Sequence, residues 1–257
     1  MSSEDSEAWE DGTSTACVLL IGNEILSGKT QDVNLQYIGT ELSKLGVKLA
    51  EARVLPDEVQ AIVDTVNECR GRYDYVFTTG GIGPTHDDIT AKCIAKAFGR
   101  KLILDERAVK SLKRGKFELN EARLKMARIP EGAELIENSL SHAPGFRVEN
   151  VHVLAGVPSI ARAMFETLAQ NFESGPPIYS RDFDVFLREG DIAGPLEVIA
   201  DEFPEIDIGS YPFARDGHFG ANLVVRGTDV DQIEEVLGRI IEAMTALGDE
   251  STVGEPG

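Results

Sequence analysis

The sequence predicts an α/β protein: a three-layer α/β/α domain with a mostly parallel sheet, followed by a small α+β module. From residue 16 to about residue 172, short apolar runs alternate with stretches of helical periodicity. Beyond a Gly- and Pro-containing segment at 173–177, the order of elements changes, and so does the net charge. Alternating strands and helices are typical of a parallel sheet that is covered by helices on both faces.

The first half of the larger domain contains the clearest signals. ACVLLIG, at 16–22, is an apolar run that ends in glycine, which is typical of a strand buried on both faces. Leucines and isoleucines recur at helical spacing between residues 35 and 45, and Gly46 is well placed to end that helix. The remaining elements expected here are a strand at 47–55, a helix ending at Gly71, a strand at 73–79 and a helix ending at Gly99.

The rest of the chain is predicted to contain shorter elements. The larger domain is expected to continue with a strand at 101–105, a basic helical region at 106–128 interrupted at Gly115, strands at 133–138 and 151–156, and a helix at 159–170. The smaller module, at 178–248, is expected to contain a strand at 178–187, a helix at 195–203, two strands at 206–213 and 221–227 joined by a turn at 216–217, and a helix from about 228.

Charge and composition exclude some classes of partner. The net charge is −5 for residues 1–15, zero for 16–172 and −14 for 173–257. Such an acidic C-terminal part repels phosphate backbones, so we expect no nucleic-acid partner. No run approaches the roughly 18 apolar residues of a membrane span, and the acidic N-terminus does not resemble a secretory signal. We therefore expect a cytoplasmic protein with no membrane partner, disordered acidic tails at 1–15 and 249–257, and three buried free cysteines.

Three loops are expected to meet beyond the carboxyl ends of the strands, where open α/β sheets bind their ligands. They are GNEILSGKTQDVN at 22–34, PDE at 56–58 and TTGGIGPTHDDIT at 78–90. Gly80, Gly81 and Gly83 permit positive φ angles and leave amides free for an anion, while Thr78, Thr79 and Thr85 add hydroxyls. This composition predicts a phosphate site, although the loop matches neither the Walker A nor the dinucleotide-binding pattern.

A structural explanation of the same loop is a tight turn in which Asp87 or Asp88 caps the next helix. Acidic residues also lie near the other strand ends, where a divalent ion could bridge carboxylates and ligand phosphates. These acids are Glu24, Asp32, Asp57 and Asp88.

Five motifs in order carry a resemblance to a known family. The three loops, NSLSHAPGF at 138–146 and LAGVPS at 154–159 resemble the MoaB/Mog domain, the molybdopterin-binding fold. The order and the C-terminal extension are most similar to the competence-damage-inducible CinA group and to the N-terminal domain of eukaryotic FAD synthase. The resemblance covers 16–172, and the module that follows resembles the KH-like appendage of CinA-type proteins, without the basic face and GXXG loop that RNA binding requires.

The resemblance implies a ligand with phosphates beside a flat ring, and it leaves two functions open. One is hydrolysis of a nucleotide diphosphate of the ADP-ribose or FAD type with Mg²⁺, Mn²⁺ or Co²⁺. The other is binding of molybdopterin, or a part in molybdenum-cofactor biosynthesis, without turnover. The family also implies a homo-oligomer, either dimer or trimer. A third alternative is an interaction module without catalysis.

The site residues implied by the resemblance follow its motifs. Asp57 and Asp88 match the two acidic positions and would be catalytic and metal-binding. The ligand-binding positions are Asn23, Glu24, Asn34, Thr79, Gly80, Gly81, Gly83, Thr85, Pro158 and Ser159. The sequence departs from the family at Ala155, where proline is usual, and at His142, where a smaller residue is usual.

Other polar residues have both a functional and a structural interpretation. The basic region at 106–128 could guide an anionic ligand, but its interleaved acids favour a solvated helix face. Its cations are Arg107, Lys110, Lys113, Arg114, Lys116, Arg123 and Lys125. His86 could be a metal ligand or a general base, although one loop histidine is a weak metal site. His152 lies within an apolar strand and is expected to be packed. In the smaller module, Tyr211, Arg215 or His218 could contact a ligand.

Overall fold

The computed structural model describes residues 13–115, 118–170, 172, 175–215, 217–248 and 252–254. The chain divides into two compact units between Gly175 and Pro176. The predicted tails fall mostly outside the described residues, as do Lys116 of the basic region, Glu173 and Ser174 of the predicted linker, and Asp216 of the predicted turn. At the margins of the tails, Ser14 and Thr15 belong to the first strand, and Val253 pairs with Val185 in an isolated bridge.

The first unit contains eight strands and seven helices among its described residues. In chain order they are β1 (Ser14–Ile21), α1 (Asn23–Leu26), α2 (Asn34–Lys44), β2 (Val47–Leu55), α3 (Val59–Arg70), β3 (Tyr75–Thr79), α4 (Thr90–Ala97), β4 (Leu102–Leu104), α5 (Glu106–Leu112), α6 (Glu121–Lys125), β5 (Arg128–Pro130), β6 (Glu134–Ile136), β7 (Gly145–Val148), β8 (Val151–Leu154) and α7 (Pro158–Ala169).

Six of these strands form one sheet with the order β2-β1-β3-β8-β7-β6. The pairs β2-β1, β1-β3 and β3-β8 are parallel, whereas β8-β7 and β7-β6 are antiparallel. The predicted α/β class with a mostly parallel sheet is therefore confirmed.

Two apolar cores lie on the two faces of this sheet. In β1, Cys17, Leu19 and Ile21 pack with buried residues of α3 and α4. The alternate residues, Val18 and Leu20 among them, pack with buried residues of α2 and α7. Because both faces are covered, β1 is apolar at almost every position, as its sequence predicts. The three cysteines are free and buried, as expected.

The middle of the first unit differs from the prediction. The strand expected at 101–105 does not join the main sheet; β4 pairs antiparallel with β5 in a separate two-stranded sheet. The sequence pattern also missed β5 and β7, because strands of three or four residues are too short to show alternation. The basic region forms two short helices, α5 and α6, whose N-termini are capped by the Asp105 and Asn120 side chains.

The second unit has the predicted order of elements, with a three-stranded antiparallel sheet in the order β10-β11-β9. One helix differs: α8 begins six residues earlier than expected and contains Pro195 in its interior. Ile192, Leu196 and Ile199 of α8 are buried, so tertiary packing supports the helix through the proline. The elements are β9 (Tyr179–Val185), α8 (Glu189–Glu202), β10 (Asp207–Arg215), β11 (His218–Gly227) and α9 (Val230–Leu247).

No helix in the described part of the chain combines the length and the apolar character that a bilayer span requires.

His152 in β8 is packed, as expected from its place in an apolar strand. Its side chain is only 2% exposed, and its ring stacks on Phe77 with 5.0 Å between centroids. The ring of Phe172 lies 5.7 Å away, and Nδ1 has no hydrogen-bond partner. Burial lowers the pKa of His152 from 6.5 to about 4 because the charged imidazolium would lose its hydration.

This histidine predicts a loss of stability in mild acid. Between pH 6.5 and pH 4 the unfolded chain takes up a proton that the folded chain does not, so the free energy of unfolding falls as the pH falls. The pKa difference corresponds to about 2 kcal/mol between pH 7 and pH 4.5. Urea unfolding at these two pH values should therefore show a smaller loss for His152→Phe than for the wild type. Equal losses would contradict the prediction, because the carboxylates contribute equally in both proteins.

Candidate functional site

The ends of β1, β3 and β8 meet through close backbone contacts between glycines and their neighbours. A Cβ atom on Gly80 would lie 2.1 Å from the carbonyl oxygen of Ile21, and one on Gly156 would lie 3.2 Å from the Cα of Gly80. The Gly80 amide donates to the carbonyl of Leu154 over 3.2 Å. Since these strands are parallel, the loops that follow them begin at one edge of the sheet, as the sequence predicted.

Two polar side chains tie these loops together. Asp57, after β2, accepts a hydrogen bond on Oδ2 from the backbone amide of Asn23 over 2.9 Å. Asn34 is only 4% exposed, and its Nδ2 donates to the carbonyl of Gly156 over 2.9 Å. Asn34, predicted as a ligand-binding residue, therefore joins the loops after β1 and β8. The side-chain amide of Asn34 is therefore already hydrogen-bonded within the protein.

The glycine-rich loop is only partly as expected. Gly80 and Gly81 have φ angles of 103° and 69°, which favour glycine. The expectation of a free amide is wrong for Gly80, because that amide extends the pairing of β3 with β8. The amides of Gly81, Ile82 and Gly83 make no hydrogen bond to any residue that the structure describes. Two predicted glycines, together with Ile82, thus retain N–H groups that can bind an anion.

The loop itself is held by Thr85, Asp88 and Thr90. Asp88 accepts hydrogen bonds on Oδ2 from the Thr85 amide over 2.7 Å and from the Thr85 hydroxyl. Thr90 donates from Oγ1 to the carbonyl of Gly80 over 2.9 Å. The residue at the N-cap of α4 is Ile89, and no side chain caps this helix. The explanation of Asp87 or Asp88 as a helix cap is therefore wrong, and Oδ1 of Asp88 stays without a hydrogen bond to a described residue.

Two cavities adjoin the loops. One, of about 250 Å³, lies beside the glycine loop and is lined by Gly81, Gly83 and Asp88, and by His86, whose side chain is 99% exposed. The other, of about 470 Å³, lies at the start of α7 and is lined by Pro158, Ser159, Ser139, Leu140, Arg162, Ala163 and Glu166. Pro158 is the first residue of α7, a position where the missing amide costs no hydrogen bond.

The predicted acids do not form a complete metal centre by themselves. Among the described residues, no group of three or more His, Cys, Asp or Glu side chains could hold a metal ion. Asp32 instead bonds to the first turn of α2, where its Oδ1 accepts from the Leu35 amide over 2.8 Å, and Glu24 is exposed with its carboxylate beside Gly22. Mg²⁺ usually takes one or two protein carboxylates and completes its shell with phosphate oxygens and water. Asp57 and Asp88 each keep one carboxylate oxygen without a hydrogen bond to a described residue.

The position of Asp57 is also visible in its electrostatic effect. Burial raises the pKa of the Cys93 thiol to about 11. Lys92 and Lys96 lower this pKa, whereas the negative charge of Asp57 raises it. Cys93 lies in the first turn of α4, so the charge of Asp57 reaches the helix that follows the glycine loop.

Sequence reasoning missed two cations beside the glycine loop. Lys92 in α4 and Arg128 in β5 line the smaller cavity together with Lys125 of α6. Lys125 donates from Nζ to the carbonyl of Thr85, so it contacts the loop directly. The sequence places Lys125 and Arg128 in one basic region at 106–128, but it gives no signal that Lys92 of α4 joins them or that Arg128 belongs to a strand.

Two family models together match most of the chain. A family model described as "Probable molybdopterin binding domain" matches residues 17–174, and one described as "FAD synthase, middle domain" matches residues 177–248. A protein of Archaeoglobus fulgidus is 38% identical over 196 residues, which is 76% of this chain and 84% of that protein. A probable FAD synthase of Caenorhabditis elegans is 32% identical over 258 residues, which covers 90% of this chain and 50% of that protein.

A solved structure is similar to the first unit. The crystal structure of CinA from Thermoplasma acidophilum, described as a protein of unknown function, is 34% identical to this chain with a TM-score of 0.58. The similarity covers 62% of this chain and 98% of that protein.

Proposed function

Because the chain belongs to the probable molybdopterin-binding domain family and continues with a domain similar to the middle domain of FAD synthase, we propose that it binds a phosphorylated ring compound and hydrolyses a diphosphate bond. The proposed substrate class is a nucleotide diphosphate of the ADP-ribose or FAD type, and the proposed cofactor is Mg²⁺, Mn²⁺ or Co²⁺. A cytoplasmic location and assembly into a homo-oligomer are part of the same proposal.

The observation that carries this proposal is the row of amides at Gly81, Ile82 and Gly83 beside the carboxylate of Asp88. Main-chain amides that are fixed before the ligand arrives can stabilise a phosphate as negative charge develops in the transition state. The positive φ of Gly81 and the hydrogen bonds of Thr90 to this turn hold these amides in place. The loop therefore needs little rearrangement to bind a phosphate oxygen.

The two acids supply the second half of the site. Asp57 and Asp88 would hold the divalent ion, and the chemistry that it supplies when bound is activation of a water and neutralisation of phosphate charge. Thr85 fixes one oxygen of Asp88, and the Asn23 amide fixes one oxygen of Asp57, which leaves the other oxygen of each for the ion. In the proposed reaction, water attacks a phosphorus and the other phosphate leaves, so that ADP-ribose gives AMP and ribose 5-phosphate.

The experiment is an assay of the purified protein with each of the three metal ions. We expect metal-dependent release of AMP from ADP-ribose or from FAD, measured by chromatography, and loss of release when EDTA removes the metal. If neither compound is cleaved with any of the three ions, the hydrolase proposal is wrong.

A second candidate function is binding of molybdopterin without turnover. It is favoured by the family description. This function predicts a fluorescent pterin that co-purifies from cells able to make one, and binding that is unaffected by EDTA. A protein that cleaves ADP-ribose and carries no pterin would exclude it.

A further inference from the structure

The smaller cavity carries positive charge from side chains as well as from backbone amides. Lys92, Lys125 and Arg128 line it together with Gly81 and Gly83. None of the three cations forms an ion pair with a residue that the structure describes, although the chain has a net charge of −19. Elsewhere in the first unit, Arg53, Arg107 and Arg147 are each paired with a carboxylate. Unpaired cations that converge in one cavity favour an anionic ligand.

The cations outnumber the acids at this cavity. Among the described residues that line it, Asp88 is the one carboxylate against three cations, and its Oδ2 accepts a hydrogen bond from the Thr85 amide. Asp87, next in the chain, has a lowered pKa, chiefly through hydrogen bonds from Thr85 and its own backbone and in smaller part through His86 and Lys125. Lys125 itself contacts the carbonyl of Thr85, which places its ammonium group against the glycine-rich loop.

Part of the cavity lining is apolar. Leu102, Met126, Pro144 and Phe146 line it, and Phe146 also belongs to the buried core of the sheet. At about 250 Å³ the cavity is smaller than most pockets that enclose a whole drug-sized ligand, so it fits one part of a larger ligand. A ring packed on methionine and an aromatic side chain, with its phosphate on the cations, matches this combination of apolar and charged lining residues.

We propose that this cavity is the subsite for the second phosphate of the ligand and for the ring or sugar attached to it. Lys92, Lys125 and Arg128 bind that phosphate, while Met126 and Phe146 form the wall for the ring. The first phosphate then lies on the amides of Gly81 to Gly83. This inference rests on the proposed binding of a nucleotide diphosphate, and it assigns the cations as specificity-determining residues for a ligand with two phosphates.

The test compares two double variants that remove the same charge. Lys92→Gln/Arg128→Gln removes two cations of the cavity but keeps the contact of Lys125 with Thr85. The control, Lys110→Gln/Lys113→Gln, removes two exposed lysines from α5 and the residue after it. Titration calorimetry with pyrophosphate, ADP-ribose and AMP at one salt concentration gives the dissociation constants. We expect the cavity variant to bind pyrophosphate and ADP-ribose roughly 10- to 100-fold more weakly, and AMP less than about 3-fold more weakly.

The control variant should bind all three compounds with the affinity of the wild type. Equal affinities of the two double variants for ADP-ribose would overturn the inference, and so would equal weakening for AMP and ADP-ribose. Where the double variant does not fold, Lys92→Gln alone is compared with Lys110→Gln, with an expected change of about tenfold for ADP-ribose.

Binding and turnover separate this inference from the proposed function. A wild-type protein that binds ADP-ribose without cleaving it contradicts the hydrolase function, and the variants still test the subsite. A wild-type protein that binds neither pyrophosphate nor ADP-ribose at millimolar concentration overturns the subsite itself. If hydrolysis is observed, the cavity variant should raise KM for ADP-ribose about as much as it weakens binding and should change kcat only a few-fold, since Asp57 and Asp88 are untouched.

Discussion

Gly80→Ala is expected to lower the free energy of unfolding of the first unit by about 3 to 5 kcal/mol. Gly80 has a φ angle of 103°, and an added Cβ would lie 2.1 Å from the Ile21 carbonyl oxygen. The Ile21 oxygen and the Cα that carries the new Cβ both belong to the backbone. The clash can therefore be relieved only if the ends of β1 and β3 move apart. Urea unfolding monitored by circular dichroism measures the change.

Gly99→Ala is the matched control for this substitution. Gly99 also has a positive φ, of 62°, but a Cβ there would meet nothing within 4 Å. We expect a loss of about 1 kcal/mol from the backbone angle alone. Similar losses for the two variants would mean that the close contact of β1 with β3 contributes little to stability.

Asp88→Asn is expected to reduce the turnover of ADP-ribose or FAD by about 10²- to 10³-fold while the protein stays folded. Asparagine keeps an oxygen that can accept the Thr85 hydrogen bonds, but it removes the negative charge that would hold the divalent ion. Asp57→Asn should have a similar effect, because its oxygen can still accept from the Asn23 amide. Initial rates at saturating metal and substrate, together with melting temperatures, give the comparison.

Asp64→Asn provides the control for these two variants. Asp64 is exposed on α3, where it accepts a hydrogen bond from Gln60 over 2.7 Å, and its substitution removes the same charge. Turnover within a factor of two of the wild type is expected. If Asp88→Asn keeps more than a tenth of wild-type turnover, Asp88 does not act in the reaction.

The elements that sequence predicted well are those with a long apolar pattern. In β1, α2 and α3, the spacing of the apolar residues allows them to be buried together in only one type of secondary structure. The positions of these elements therefore follow from the pattern. β4, β5 and β7 have three or four residues each, and their pairing depends on distant segments. The start of α8 was missed because a proline is usually found in the first turn of a helix. Here the helix begins at Glu189, ahead of Pro195, and the buried side chain of Ile192 holds this earlier part against the core.

The candidate site was predictable where it depends on backbone and less so where it depends on side-chain partners. The glycine pattern of residues 80–83 indicates a turn at a strand end, and the structure has one. Nothing in the sequence shows that the Gly80 amide donates a hydrogen bond to the carbonyl of Leu154, or that the Asn34 side chain donates one to the carbonyl of Gly156. The first of these hydrogen bonds spans 74 positions of the chain and the second spans 122, so only the folded protein identifies them.

The separate pairing of β4 with β5 has a consequence for how the family can diversify. Arg128 belongs to this small ribbon and Lys125 to the short helix just before it, whereas the glycine turn is fixed by the large sheet. Under the proposed subsite, substitutions in the ribbon should alter which ligand binds and leave the large sheet that fixes the glycine turn unchanged. A chimaera that carries the ribbon of a homologue should inherit the donor's ligand preference and keep the recipient's thermal stability.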